Sequence, residues 1–111
     1  MPPVPPPNPT LAHLAAALSD EDARELVRIF LAEFPSLRKA LATGNRRECY
    51  LAAHSLKSSA QHMGLMALAE RMTDLEQRLE DSATTLSPED VAAIDRDFDQ
   101  EAGSLRAFAA E

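Results

Sequence analysis

An all-α fold, an antiparallel up-and-down four-helix bundle with a short extra helix in front, follows from three features of this sequence. Ala, Leu and Glu abound while aromatic residues make up 5% and Gly occurs three times, a composition of strong helix formers. Four long segments carry apolar residues at three- and four-residue spacing, and no stretch shows the alternation of a strand or an internal repeat. Short connections rich in capping residues separate these segments, which favours antiparallel neighbours. The 111 residues suffice for one core, placed here at residues 10–111 behind a Pro-rich extended segment at 1–9.

The opening MPPVPPPNP is expected to stay out of helix and sheet interiors, because each proline fixes φ and withholds an amide donor. A linker, a terminal stub and a ligand for a proline-binding module all fit such a composition. Thr10 to Leu18 reads as a minor helix against the main body. Ser19 then caps a strong helix whose first turn, Asp20-Glu21-Asp22, suits the positive end of the helix dipole. Its expected apolar face is Leu26, Ile29, Phe30, Leu37 and Leu41, with Phe34 near the edge and a kink or brief interruption at Pro35.

Thr43-Gly44-Asn45 ends that helix, and Asn45 with Glu48 starts the next, which is expected to run to about His62 and stop near Gly64. Leu68, Met72, Leu75 and Leu79 define the inner stripe of the fourth segment, and a boundary follows at Ser82 to Ser87. Ser87-Pro88-Glu89-Asp90 is the clearest start signal: a capping serine, a proline where no amide is needed, then two acids. Val91, Ile94, Phe98, Ala102 and Leu105 carry the last apolar face nearly to the end.

A net charge of -7 repels phosphate backbones and anionic membranes, and the basic residues near Arg46 and Arg47 are too few for a broad nucleic-acid patch. The single cysteine, Cys49, cannot form an internal disulfide, which fits a reducing compartment. No apolar run reaches membrane-spanning length, and the opening lacks the basic start and apolar centre of a signal peptide. The expectation is a soluble, cytoplasmic protein. One main apolar stripe per helix further argues for a monomer over a dimerisation bundle.

The third helix contains AAHSLKSSAQHMG, Ala52 to Gly64. At about 100° per residue, Cys49, Ala52, Leu56, Ser59, Ala60 and Met63 fall opposite His54 and form the core stripe. Arg47, Tyr50, Lys57, Ser58 and Gln61 share the outer face with His54. A solvated surface histidine fits this placement as well as a functional one does. Chemically, an exposed imidazole is substantially neutral near pH 7 and keeps a lone pair able to attack phosphorus. Lys57, one turn along, can offset the charge of a phosphoryl group, and Ser58 leaves room for a partner. If the chain reverses near Gly64, residues 74–76 come opposite His54, and of these Glu76 flanks the inward Leu75 and Leu79. A helix-surface carboxylate paired with an arginine is an equally open role for Glu76.

AHSLKSSAQHMGL resembles the signature of histidine-containing phosphotransfer domains, the HPt family, whose usual form is close to AHxLKGxxxxxG. Ala53, His54, Leu56, Lys57 and Gly64 match in type and spacing, and the likeness covers most of Leu11 to Leu105, including Phe34-Pro35 and Leu75-Glu76. The resemblance implies that His54 accepts a phosphoryl group from a receiver aspartate or a histidine kinase or hybrid kinase, and passes it to a response-regulator receiver. It implies bacterial-type two-component signalling, with Lys57 stabilising the phosphorylated state. It also implies an imidazole support from the following helix, where the family often carries Gln or Glu and this chain has Glu76. Arg47, Tyr50, Ser58 and Gln61 become candidates for the docking face. Ser58 departs from the family's glycine, which bears on partner choice and transfer rate.

No cofactor is expected on the domain itself, since the resemblance puts Mg²⁺ on the receiver. Neither a GxxxxGK loop nor an HExxH pair is present, which speaks against an autonomous enzyme. His54 and His62 are eight residues apart, about 12 Å of helical rise, too far to share one metal ion. His62 reads as a boundary residue, His13 as a surface residue and Cys49 as inert core. The serious alternative is a noncatalytic adaptor that binds a receiver or kinase through the same face.

Overall fold

The computed structural model describes residues 8–81 and 85–110. They form α1 (Pro9–Ala17), α2 (Asp20–Leu41), α3 (Arg46–His62), α4 (Met66–Asp81) and α5 (Pro88–Ala109), with no strand among the described residues. Helix starts follow local chemistry. Ser19 accepts from the Asp22 amide at 3.1 Å and Asn45 from the Glu48 amide at 3.0 Å. Ser87 and Asp90 exchange side-chain and backbone bonds in a reciprocal capping box.

α4 begins differently. Leu65 precedes it and offers no capping atom, so the Ala67 and Leu68 amides donate instead to the Glu101 carboxylate of α5, at 3.2 and 2.8 Å. A carboxylate brought from another helix thus serves both the free amides and the positive end of the α4 dipole.

The four long helices close a ring: α2 packs on α3 and α5, α4 packs on the same two, and α1 lies on α2. α4 and α5 meet through Leu68–Glu101, Arg71–Asp97 and Arg78–Asp90, pairs whose numbers rise on one helix as they fall on the other. α2 and α5 run oppositely as well, joined by Arg38–Asp95 and by Arg28 to the Ala109 carbonyl. Phe34 stacks on Phe98 with ring centroids 3.7 Å apart and Phe30 leans on the same ring at 6.2 Å, so three aromatics fasten α2 to α5. Leu56, Leu68, Met72, Ile94 and Leu105 fill the interior. No helix of the described residues is long and apolar enough to cross a membrane.

Several sequence expectations are corrected. Leu26 and Ile29, expected inside, are 40% and 44% exposed, while Phe34 is core and Leu37 only half-buried. The true stripe of α2 is Ala23, Val27, Phe30, Phe34 and Leu41. Leu26 precedes Val27 by one residue, about 100° around the helix, and points away from it. Pro35 does not interrupt α2, because it occupies an exposed position where loss of one helical bond is tolerated. In α3, Ala53 is buried and Ser59 only half so. The extended segment expected over 1–9 lies outside the described residues except for its end. There Asn8 caps α1 and Pro9 opens it, in the turn that needs no amide donor. The boundary region at Ser82 to Ser87 is described from Thr85 onward.

Asn8 also locks α1 to the α3–α4 turn. Its side chain accepts from the Leu11 amide at 3.2 Å and donates to the Met63 carbonyl at 2.8 Å. Gly64 makes room for this: φ is +75°, and a Cβ there would meet Asn8 Oδ1 at 2.2 Å and Thr10 Cβ at 2.7 Å. Gly44 has nearly the same φ, +78°, with nothing within 4 Å. Gly44→Ala therefore costs the conformational penalty alone, about 1 kcal/mol, and Gly64→Ala about 3 kcal/mol because the α1 clamp must also open. Urea unfolding of the two variants measures the difference, and equal losses would contradict the clamp.

Candidate functional site

α3 presents its outer face because Cys49, Ala52, Ala53, Leu56 and Ala60 occupy its inner one. The face away from that stripe carries His54, whose side chain is 59% exposed. Its Nδ1 lies 3.2 Å from Glu76 Oε1 on α4, while the other Glu76 oxygen, Oε2, lies 2.7 Å from Lys57 Nζ. The Lys57 contact is an ion pair outside the alignment of a hydrogen bond, so Oε2 has a charge partner and no directed donor. Glu76 is the one buried charged residue among those described, at 8% exposure, and it pairs with His54 and Lys57 and with no arginine.

Burial pushes the Glu76 carboxyl up, but the Lys57 ammonium and the His54 ring outweigh it and hold the group below its ordinary value. An ionised carboxylate only accepts hydrogen bonds, so it selects the tautomer in which Nδ1 carries the proton. Nε2 then keeps its lone pair on the solvent side. One carboxylate thus orients the ring, fixes its proton and holds the neighbouring cation.

Tyr50 sits one turn before His54 with the two rings nearly parallel, centroids 6.4 Å apart, and its hydroxyl donates to Glu80 Oε1 at 2.9 Å. That bond keeps the phenol protonated, its pKa raised first by the Glu80 hydrogen bond and then by the Glu80 charge. Ser58 is half-buried beside Lys57, while Gln61 and Arg47 are exposed. Arg46 donates to the Leu79 and Glu80 carbonyls at the end of α4. From the sequence, Leu79 reads only as part of the inner stripe and Arg46 only as one of a few basic residues, and Glu80 is not singled out. The α3–α4 register that sets Glu76 opposite His54 also sets Glu80 opposite Tyr50, so the same hairpin arithmetic finds it.

Other candidates lie apart. His62 and His13 are exposed, and His62 ends α3. Cys49 is fully buried, its thiol donating to the Leu41 carbonyl at 3.2 Å. No group of three or more His, Cys, Asp or Glu side chains among the described residues could hold a metal ion.

The described residues form an all-helical ring that carries an exposed imidazole held by a buried carboxylate. A family model described as Hpt domain matches residues 25–107, most of the chain, and the chain belongs to that family. Members are phosphorelay carriers, generally not enzymes, that interact with kinases and receiver domains. The match leaves α1 and the first turn of α2 outside. No curated protein and no solved structure matches the chain.

Glu76→Gln removes the counter-charge of a half-buried Lys57 and is expected to cost about 1–2 kcal/mol at pH 7. Because the Glu76 pKa is depressed in the folded state, its contribution is full above the ordinary value of 4.5 and is lost as pH falls through the lower folded value. Denaturant melts of both proteins from pH 7 to pH 3 should converge in stability at the acid end. A gap that stays constant with pH would show that the charge is not the cause.

Proposed function

We propose that this domain relays phosphoryl groups on His54. It accepts them from a receiver aspartate, or from a histidine kinase or hybrid kinase, and passes them to a response-regulator receiver. The observation that carries this reading is an imidazole 59% exposed whose inner nitrogen is 3.2 Å from a buried carboxylate. In the transfer, the Nε2 lone pair attacks phosphorus, the bond from phosphorus to the aspartyl oxygen breaks, and the freed electron pair leaves with the donor carboxylate. The imidazolium that forms keeps its proton on Nδ1, which donates a hydrogen bond to the ionised Glu76 carboxylate. Lys57 faces the incoming phosphoryl oxygens, and Ser58, Gln61, Tyr50 and Arg47 belong to the docking face.

The remaining chemistry belongs to the partner. Phosphoryl transfer depends chiefly on positioning and charge neutralisation, and a receiver's Mg²⁺ would supply most of that charge. The domain itself needs no cofactor and works as a monomer in the cytoplasm. Its four long helices form the antiparallel up-and-down bundle that holds α3 rigid against α4.

Incubation with phosphorylated receivers is expected to give acid-labile, alkali-stable label on wild type and none on His54→Gln. NMR should place the phosphate on Nε2, and a phosphate on Nδ1 would contradict the tautomer argument. Lys57→Ala should slow transfer about tenfold, less than loss of a full oxyanion donor, because the receiver's metal ion carries most of the charge. Receiver binding with label on neither protein would leave the domain an adaptor.

A further inference from the structure

Acids occupy the first turns of α2 and α5, where the helix dipole is positive, yet α3 opens with Arg46 and Arg47 ahead of its one first-turn acid, Glu48. Cations at that end of a helix reduce its stability. Arg46 has a compensating role in the fold, since its guanidinium reaches the carbonyls of Leu79 and Glu80, at the negative end of the α4 dipole. Arg47 has no such compensation. It is exposed and makes no ion pair or hydrogen bond with any described residue.

Arg47 precedes His54 by seven residues, two turns and about 10.5 Å of rise on nearly the same line of the helix. Between them stands Tyr50. Together Arg46, Arg47, Tyr50, Leu79 and Glu80 line a cleft of about 440 Å³ between α3 and α4. Glu80, the only acid lining it, is engaged by the Tyr50 hydroxyl. Leu79 gives the cleft an apolar floor, and a charge contact over apolar surface is stronger than one in open water.

We propose that this cleft receives an aspartate or glutamate side chain from the receiver domain that docks over His54, with Arg47 as its cation. The proposal rests on the carrier reading above. Charge complementarity selects the occupant. With a net charge of -7, most of this surface repels an acidic side chain, so a cationic cleft two turns from the nucleophile fixes which way round the partner sits. The apolar side of the footprint lies on the opposite flank of α3, where Leu51 is 53% exposed beside Leu37 and Ala40. A partner bearing an acid on one edge and aliphatic side chains on the other meets both only in one orientation. Arg47 is thus a specificity-determining residue that never touches the phosphoryl group.

The test compares wild type, Arg47→Lys, Arg47→Ala and Arg47→Glu in two labelling reactions. One donor is phosphoramidate, which needs no docking. The other is the phosphorylated receiver, from a panel of receivers of the source organism, that labels wild-type His54 fastest. Phosphoramidate should label all four proteins alike. From the receiver, Arg47→Ala should be about threefold slower at low salt, as for loss of one exposed ion pair, with Arg47→Glu slower still and Arg47→Lys near wild type. The differences should vanish near 1 M salt, where the screening length falls to about 3 Å. Receiver transfer at the wild-type rate in Arg47→Glu overturns the proposal, and so does an equal loss of phosphoramidate labelling, which would place Arg47 in the chemistry. If wild type takes label from neither donor, the carrier reading itself fails.

Discussion

The buried carboxylate of Glu76 is the constraint on which the site depends. A charge at 8% exposure is tolerated only with compensating partners, and α3 provides two of them one turn apart, His54 and Lys57. The compensation works in both directions. Lys57 keeps Glu76 ionised, ionised Glu76 fixes the proton of His54 on Nδ1, and the ring so held turns Nε2 outward. Removing any member changes what the other two are. The same contacts fix how α3 lies on α4, since sliding the pair by one helical turn would break the paired contacts of the carboxylate with His54 and Lys57.

The rest of the fold holds that register in place. Ala52, Ala53 and Ala60 give α3 a small-residue inner face, so its ridge can lie close to its neighbours without pushing His54 aside. Beyond the site, Arg46 ties the start of α3 to the end of α4, Glu101 closes the start of α4 from α5, and Asn8 clamps the turn between α3 and α4. Each of these bonds satisfies a helix end that the sequence next to it leaves open. The free backbone groups at helix ends, which must be paired somewhere, thus become the cross-links of the ring.

What was legible in the sequence is what short-range chemistry decides. Ser19, Asn45 and Ser87 cap the helices that their neighbours suggested, and the spacing around His54 placed it outside because its own helix fixes that angle. What was not legible needed a second helix. Leu26 and Ile29 are large and apolar, so a count of hydrophobic residues drew the stripe of α2 toward them. The packing of α3 and α5 instead selected Ala23 and Val27, which are smaller. Pro9 looked like linker because proline breaks helices, although the first turn is the place where it does no harm. Glu76 was open between a surface carboxylate and an inward one. Nothing on α4 alone distinguishes them, because its burial is created by His54 and Lys57 across the interface.

Charge bookkeeping gives that interface a further meaning. With a neutral imidazole, Glu76 and Lys57 cancel, and the resting site is close to neutral. On the carrier reading, a phosphoryl group at Nε2 brings about two negative charges onto the same face, as phosphorylation does elsewhere. Lys57 is then shared between a fixed carboxylate and a mobile phosphate. A lysine with no carboxylate beside it would bind the phosphoryl group more tightly, and a carrier that binds its cargo tightly does not pass it on. The Glu76–Lys57 pair, at 2.7 Å, therefore tempers the cation. On the carrier reading, this leaves enough positive charge to admit a phosphoryl group and too little to trap it, the balance demanded of a group that arrives from one partner and leaves to another.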